Sequence, residues 1–277
     1  MVTSIKSNEH YCSPDLMNRI TSGLQKMGKS AETVTMDDLV SVDEFHVRGP
    51  MATQEIIKLL QPLANARLID LGSGLGGPAR RFAATVGCHV TGVDLSSDYC
   101  HTARELSKWL NLDSKTDFVQ GSVTELAGQE DSSYDGAYSI HVAMNIQDRN
   151  AFYTQAARVL KKGARFVMYD LILSNEDAEV KYPQPWAIDA ADSFLKTETQ
   201  MFADLKQAGF SIESTRDDSP QALEFLKALI NKMQQSGPPA LSLATVLGPV
   251  VQQIIPKLAQ NFMTDSLRVL AVSAIKQ

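Results

Sequence analysis

The sequence predicts an α/β protein with an open, mostly parallel sheet, and three observations carry that prediction. Residues 68–94, LIDLGSGLGGPARRFAATVGCHVTGVD, spell strand, glycine turn, helix, strand and terminal acid. Apolar runs of strand length (Thr116 to Gln120, Tyr134 to Ile140, Arg165 to Leu171, Phe210 to Thr215) then alternate with helical periodicity, the order expected of parallel strands joined by helices. A last apolar run, Leu267 to Ile275, is long enough to be a buried strand.

Leu16, Ile20 and Leu24 recur at helical spacing after Ser13, Pro14 and Asp15, which predicts an opening helix to about Met27. Thr35 and Asp38 make a capping box for a short helix over Met36 to Val40. Gly49 and Pro50 break the chain before an amphipathic helix with Ile56, Ile57, Leu59 and Leu60 in its apolar stripe. Residues 1–62 thus precede the first strand, more helix than a sheet requires.

The first strand, Leu68 to Leu71, carries one acid, Asp70, and runs into Gly72, Gly74, Gly76 and Gly77, which permit positive φ and a close approach of backbone to ligand. Pro78 suits a first helical turn, so a helix starts near Gly76 or Gly77 and runs to about Val86. The second strand, Cys88 to Val93, ends in Asp94, an acid placed to accept both hydroxyls of a ribose. The glycines also satisfy the dinucleotide pattern GxGxxG, which keeps a nicotinamide-dependent oxidoreductase as an alternative. Asp70 argues the other way, because a carboxylate ahead of the turn repels a pyrophosphate and pairs with a cationic amino-acid group.

Ser96 or Ser97 caps the next helix, whose Tyr99, Ala103, Leu106 and Leu110 share a face, and the third strand ends at Gly121 and Ser122. The fourth strand delivers His141, Val142, Ala143, Met144 and Asn145 to its carboxyl end, where open parallel sheets bind ligands. A helix over Arg149 to Leu160 and a KKG turn lead to the fifth strand, with Asp170 near its end. Ser174 to Leu195, containing YPQPWA, is irregular and aromatic, and is expected to wall a pocket. Thr197 and Gln200 form a second capping box for a helix to about Gln207, and Gly209 stops it. Two helical patterns, Gln221 to Gln234 and Leu241 to Phe262, then precede the last strand, and they read as a lid or a homodimer surface.

The acid followed by GxGxG, with a second strand that ends in an acid, resembles the class I S-adenosylmethionine methyltransferases. The strings FHVRG, GSGLGGPAR, HVAMNI and PQPWA together resemble their small-molecule members of the ubiquinone, tocopherol and sarcosine or dimethylglycine type, from about Asp43 to Phe210. The resemblance implies a Rossmann-like seven-stranded sheet, last strand antiparallel, with helices on both faces and helical lid elements at both ends. The units would be an N-terminal lid (1–62), a core (63–218), an insertion (219–264) and the last strand (265–277).

It implies S-adenosyl-L-methionine as cofactor, held by Asp70, Gly72, Ser73, Gly74, Gly76, Asp94, Leu95, Ser122, Val123 and the backbone carbonyl of His141. Ser122 stands where relatives often carry an acid for the adenine amine, and Ala164 where they usually have glycine. The reaction is methyl transfer to a small-molecule acceptor on N, O or C, with no metal. An amine acceptor needs only to be unprotonated, whereas a hydroxyl or activated carbon needs a base. The candidate bases are His141, then His46, then Asp170; the pocket candidates are Phe45, Arg48, Met144, Asn145 and Trp186. Each has a plainer reading: a packed His141 ring, core Phe45 and Met144, a satisfied His46 and a salt-bridged Arg48. A protein that keeps the fold and binds a ligand without turnover is the remaining alternative.

A net charge of −6 argues against nonspecific nucleic-acid binding. Cys12, Cys88 and Cys100 lack metal-ligand spacing and are odd in number, which fits a cytoplasmic protein without disulfides or zinc. The N-terminus has no apolar leader, and the longest apolar tract, Leu241 to Ile255, is broken by Gly248, Pro249, Gln252 and Gln253, so membrane insertion is not expected.

Overall fold

The structure, a computed structural model, describes residues 15–237 and 239–277; Cys12, Ser13 and Pro14 lie outside them. Three helices come first: α1 (Leu16–Lys26), α2 (Met36–Asp43) and α3 (Pro50–Leu60). The core follows as β1 (Arg67–Leu71), α4 (Gly77–Val86), β2 (His89–Asp94), α5 (Ser97–Trp109), β3 (Thr116–Gln120), β4 (Tyr134–Ile140), α6 (Arg149–Val159), β5 (Leu160–Leu173), α7 (Glu198–Gln207) and β6 (Phe210–Asp217). The insertion supplies α8 (Ser219–Ser236), α9 (Leu243–Leu247) and α10 (Val251–Met263) before β7 (Leu267–Lys276).

The seven strands form one sheet in the order β3-β2-β1-β4-β5-β7-β6, with β7 antiparallel to both neighbours. The chain winds outward from β1 to β3 and then returns to β4 beside β1, so the strand order switches between β1 and β4. Asp70 lies opposite Gly92 on one side and Tyr138 on the other, which brings the ends of β1, β2 and β4 together. That is where a doubly wound sheet opens a crevice.

Successive strand residues serve opposite layers. Leu68, Val90, Tyr138, Val167, Tyr169 and Val269 pack with α3, α4, α8 and α10 on one side. Ile69, Val93, Ala137, Phe166, Met168 and Leu270 pack with α6 and α7 on the other. Burial on both faces explains why these strands read as nearly continuous apolar runs. A third cluster joins α1 and α2 to Leu75, Tyr99, Leu106, Leu241 and Val246, so the N-terminal helices and the insertion share one packed region.

Both predicted capping boxes form, at Thr35 with Asp38 and at Thr197 with Gln200, and Ser96 rather than Ser97 caps α5. Helix α2 runs on to Asp43, three residues beyond the predicted Val40. Strand β5 starts at Leu160, because a register shift opposite Tyr134 and Gly136 absorbs the KKG turn within the strand. The pattern read over Leu241 to Phe262 is two helices, since Gly248 at φ 76° and Pro249 interrupt it with a single tight turn. Among the described residues, no helix is long and apolar enough to cross a membrane.

Candidate active site

A cavity of about 1670 Å³ opens at the switch point, walled by the ends of β1, β2 and β4, the segment 40–50, part of segment 174–195, and the insertion. Small-ligand sites usually occupy about 300–1000 Å³, so this one has room for more than one molecule.

Asp70 is buried on the cavity wall, and its Oδ2 has no hydrogen-bond partner within the protein. Burial pushes its carboxyl up to about 8, with the Tyr138 hydroxyl opposing the rise and Asp94 adding to it. Gly72 follows with φ 87°, and a Cβ there would lie 2.4 Å from Cγ2 of Val142, so both backbone and space demand glycine. Asp94 accepts from the Gly74 N–H at 2.8 Å through Oδ2 and from the Ser96 N–H at 2.9 Å through Oδ1. Those bonds lower its pKa against a larger rise from burial, fix its rotamer, and leave each oxygen a lone pair for a further donor.

Ser73, Leu95, Ser122 and Val123 join them on the wall. The Ser122 hydroxyl is already engaged, 2.7 Å from Thr124 Oγ1, and accepts from the Thr124 N–H. Gly76 lies off the wall: it enters α4 at φ 78° and leaves space for the Phe118 ring, 2.4 Å from a would-be Cβ.

His141 sits in the turn after β4 at φ 54°, its N–H donating to the Tyr169 carbonyl at 2.8 Å. Its ring stacks on Tyr169 at 5.5 Å and meets the His46 ring edge-on at 6.1 Å. His141 is a half-buried lining residue whose Nε2 is shut off from solvent without a partner, and desolvation, helped by His46, pushes its pKa down to about 3. A neutral His141 is therefore a poor proton acceptor.

His46 is held differently. Its Nε2 lies 2.9 Å from the Gly49 carbonyl, which can only accept, so Nε2 carries the proton and Nδ1 is the bare nitrogen of the neutral ring. Thr53 Oγ1 lies 3.2 Å from the same Nε2 and donates to Glu44 Oε2 at 2.5 Å, while Glu44 Oε1 accepts from Arg81 Nε at 2.6 Å. Burial lowers the His46 pKa and the Glu44 carboxylate opposes that shift.

Two expected site residues belong elsewhere. Asp170 is off the cavity, and its Oδ1 accepts from the N–H groups of Val142 (2.9 Å) and Ala143 (3.2 Å), so it shapes the His141 turn instead of meeting substrate. Arg48 pairs with Asp218 and with Glu55 at 2.8 Å, and Arg216 binds the same two carboxylates, which ties the start of α3 to the β6–α8 junction. Phe45, Met144, Asn145 and Trp186 do line the cavity, and the Trp186 indole donates to Ser193 Oγ at 2.9 Å.

Sequence reasoning missed two ion pairs behind the wall, Arg80 with Asp43 at 2.8 Å and Arg81 with Glu44 at 2.6 Å. The available signal was the adjacent acids of VDEFHVRG and the adjacent arginines of PARR. Also missed were Phe225, Leu229, Met233, Leu243 and Ile255, the insertion's contribution to the cavity.

Residues 69–168 match the family profile described as a methyltransferase domain. The chain carries a methyltransferase domain. The matched span holds Asp70, the glycine turn, Asp94 and the His141 turn, and omits both the 40–50 segment and the insertion. Methyltransferase phqN of Penicillium fellutanum is 34% identical over 110 residues, 40% of this chain and 33% of that protein. The 24-methylenesterol C-methyltransferase 2 of Oryza sativa subsp. japonica is 29% identical over 164 residues, 57% of this chain and 45% of that protein. The chain thus spans a third to under half of these relatives' lengths. Haemonchus contortus phosphoethanolamine N-methyltransferase 2, solved with phosphomonomethylethanolamine and S-adenosylhomocysteine, shares the fold with a TM-score of 0.73 at 20% identity, over 93% of this chain and 60% of that one.

Proposed function

We propose that this protein transfers a methyl group from S-adenosyl-L-methionine to a small-molecule acceptor, on N, O or C, in a pocket covered by the 40–50 segment and the insertion. One observation carries the reading: the buried carboxyl of Asp70 lines the cavity beside the glycine turn and Asp94, and among the described residues no cation of the protein is paired with it. A cationic amino-acid group would draw that carboxyl into its ionised form and pair with it, whereas a pyrophosphate would find no charge partner there. Asp94 would take the ribose hydroxyls, and Leu95, Ser122 and Val123 would wall the adenine.

When bound, S-adenosylmethionine supplies a methyl on a sulfonium, open to in-line displacement. The chain's own task is to hold the acceptor in line and exclude water, worth roughly 7–11 kcal/mol of barrier. The insertion serves the pocket in this reading, since α8–α10 contribute to its wall. We place the protein in the cytoplasm, in keeping with the free, buried thiols of Cys88 and Cys100.

Where the acceptor must lose a proton, His46 is our base: Nδ1 is its bare nitrogen, and Glu44 supports the ring through Thr53. His141 instead packs on Tyr169 and offers its carbonyl to the donor's ammonium. With the acceptor found by a mass search for methylated products, His46→Ala is expected to slow such a transfer roughly 10²-fold. An unchanged rate and pH profile would remove the base role.

Calorimetry with S-adenosylhomocysteine and with NAD tests the donor assignment. Binding of the first and not the second is expected, and Asp94→Ala should weaken it about tenfold. Dinucleotide binding in its place would favour the oxidoreductase. Cofactor binding without any methylated product would favour a ligand-binding protein.

A further inference from the structure

The cavity wall narrows the acceptor. The insertion gives it Phe225, Leu229, Met233, Leu243 and Ile255, and segment 174–195 adds Trp186, so large apolar side chains dominate this wall beside Lys232, Gln234, Ser242 and Gln252. The ionisable side chains on the wall are of one sign almost throughout: Asp43, Glu44, Asp70, Asp94 and Asp148. Among the described lining residues, Lys232 is the one lysine or arginine, and it is exposed.

The nearby arginines are already committed. Arg80 and Arg81 neutralise Asp43 and Glu44, and Arg48 is bound by Glu55 and Asp218. The described residues contain no group of three or more His, Cys, Asp or Glu able to hold a metal ion, so a bridging Mg²⁺ would rest on one or two of these carboxylates and on the phosphate itself. A phosphate entering this cavity would lose its hydration and gain no lysine or arginine in return except the exposed Lys232. A long apolar body, by contrast, would replace water along the whole insertion wall.

We infer that the acceptor is a large, predominantly apolar molecule without phosphate or other anionic groups, and that α8–α10 select it. The inference rests on the methyl-donor reading above for the rest of the cavity. It makes the charge of the acceptor, and not only its size, a criterion of selection.

The test is a paired titration of the protein loaded with S-adenosylhomocysteine, read by tryptophan emission with Trp186→Phe as control. The probes are geraniol, farnesol and geranylgeraniol, each against its diphosphate, with and without Mg²⁺. At least one alcohol is expected to bind at least tenfold more tightly than its diphosphate, with Mg²⁺ making no difference, and Leu229→Arg should narrow that gap. Equal or tighter binding of the diphosphates overturns the inference, as does a failure of all three alcohols to bind while S-adenosylhomocysteine does. Failure of S-adenosylhomocysteine itself to bind would instead strike the methyl-donor reading, and calorimetry records that separately.

Discussion

Arg80→Met is expected to destabilise the protein by about 3–5 kcal/mol, the usual result of removing one partner of a buried ion pair. Arg80 is fully buried, and beyond Asp43 it donates to the carbonyls of Leu75 at 2.6 Å and Ala103 at 3.1 Å. Methionine fills much of the volume but strands a buried carboxyl and leaves two carbonyls short of a donor. For a chain of this size the loss corresponds to a Tm lower by roughly 6–20 °C. Arg80→Lys should recover little, because a single ammonium cannot supply the same fork of donors. Asp43→Asn combined with Arg80→Met should be milder than Arg80→Met alone, since the stranded charge is gone. A Tm drop of under about 2 °C for Arg80→Met would mean that the pair contributes nothing. The functional consequence follows from Gly77, where a Cβ would lie 2.3 Å from the Asp43 carbonyl: the end of α2 is pressed onto α4 and held there by two ion pairs. The sequence suggested an N-terminal lid over the ligand, and the structure clamps the part of it nearest the cavity.

How much of this was legible depended on the distance over which each residue finds its partner. Strands β3 and β4 keep the limits read from sequence: β4 is buried along most of its length between turn residues, and β3, at the sheet edge, shows buried Thr116 and Phe118 two residues apart. Asp70 and Asp94 announced themselves because the glycine turn between them is local in sequence. Arg48 was ambiguous for the opposite reason: its partner Asp218 is 170 residues away, and nothing within VRG distinguishes a ligand contact from a clamp. Asp170 sits where a catalytic acid could, yet the N–H groups that occupy it come from the turn after the neighbouring strand, an adjacency set by the register Ile140 opposite Tyr169. His46 and His141 were both visible, whereas the Gly49 carbonyl and the Thr53 hydroxyl that hold the His46 ring were not.

Asp70→Asn is expected to weaken S-adenosylhomocysteine binding roughly 100-fold, from the loss of a bond between charged groups in a buried site. It should also erase a pH dependence that the wild-type protein shows. With its carboxyl near 8 in the free protein, Asp70 is largely protonated at neutral pH. A ligand ammonium requires the carboxylate, so binding releases a proton, and affinity should rise toward tenfold per pH unit between about pH 6 and 7.5. Stability without ligand runs the other way. The folded pKa lies above the unfolded value of about 3.9, so the stabilisation from a protonated Asp70 is complete below that value and is lost as pH rises through about 8. The free protein should therefore lose Tm between about pH 6 and 8.5, bound S-adenosylhomocysteine should reduce that loss, and the Asp70→Asn substitution should flatten it. Wild-type affinity that stays level between about pH 6 and 7.5, or a variant that binds as tightly as wild type, would separate Asp70 from the ammonium.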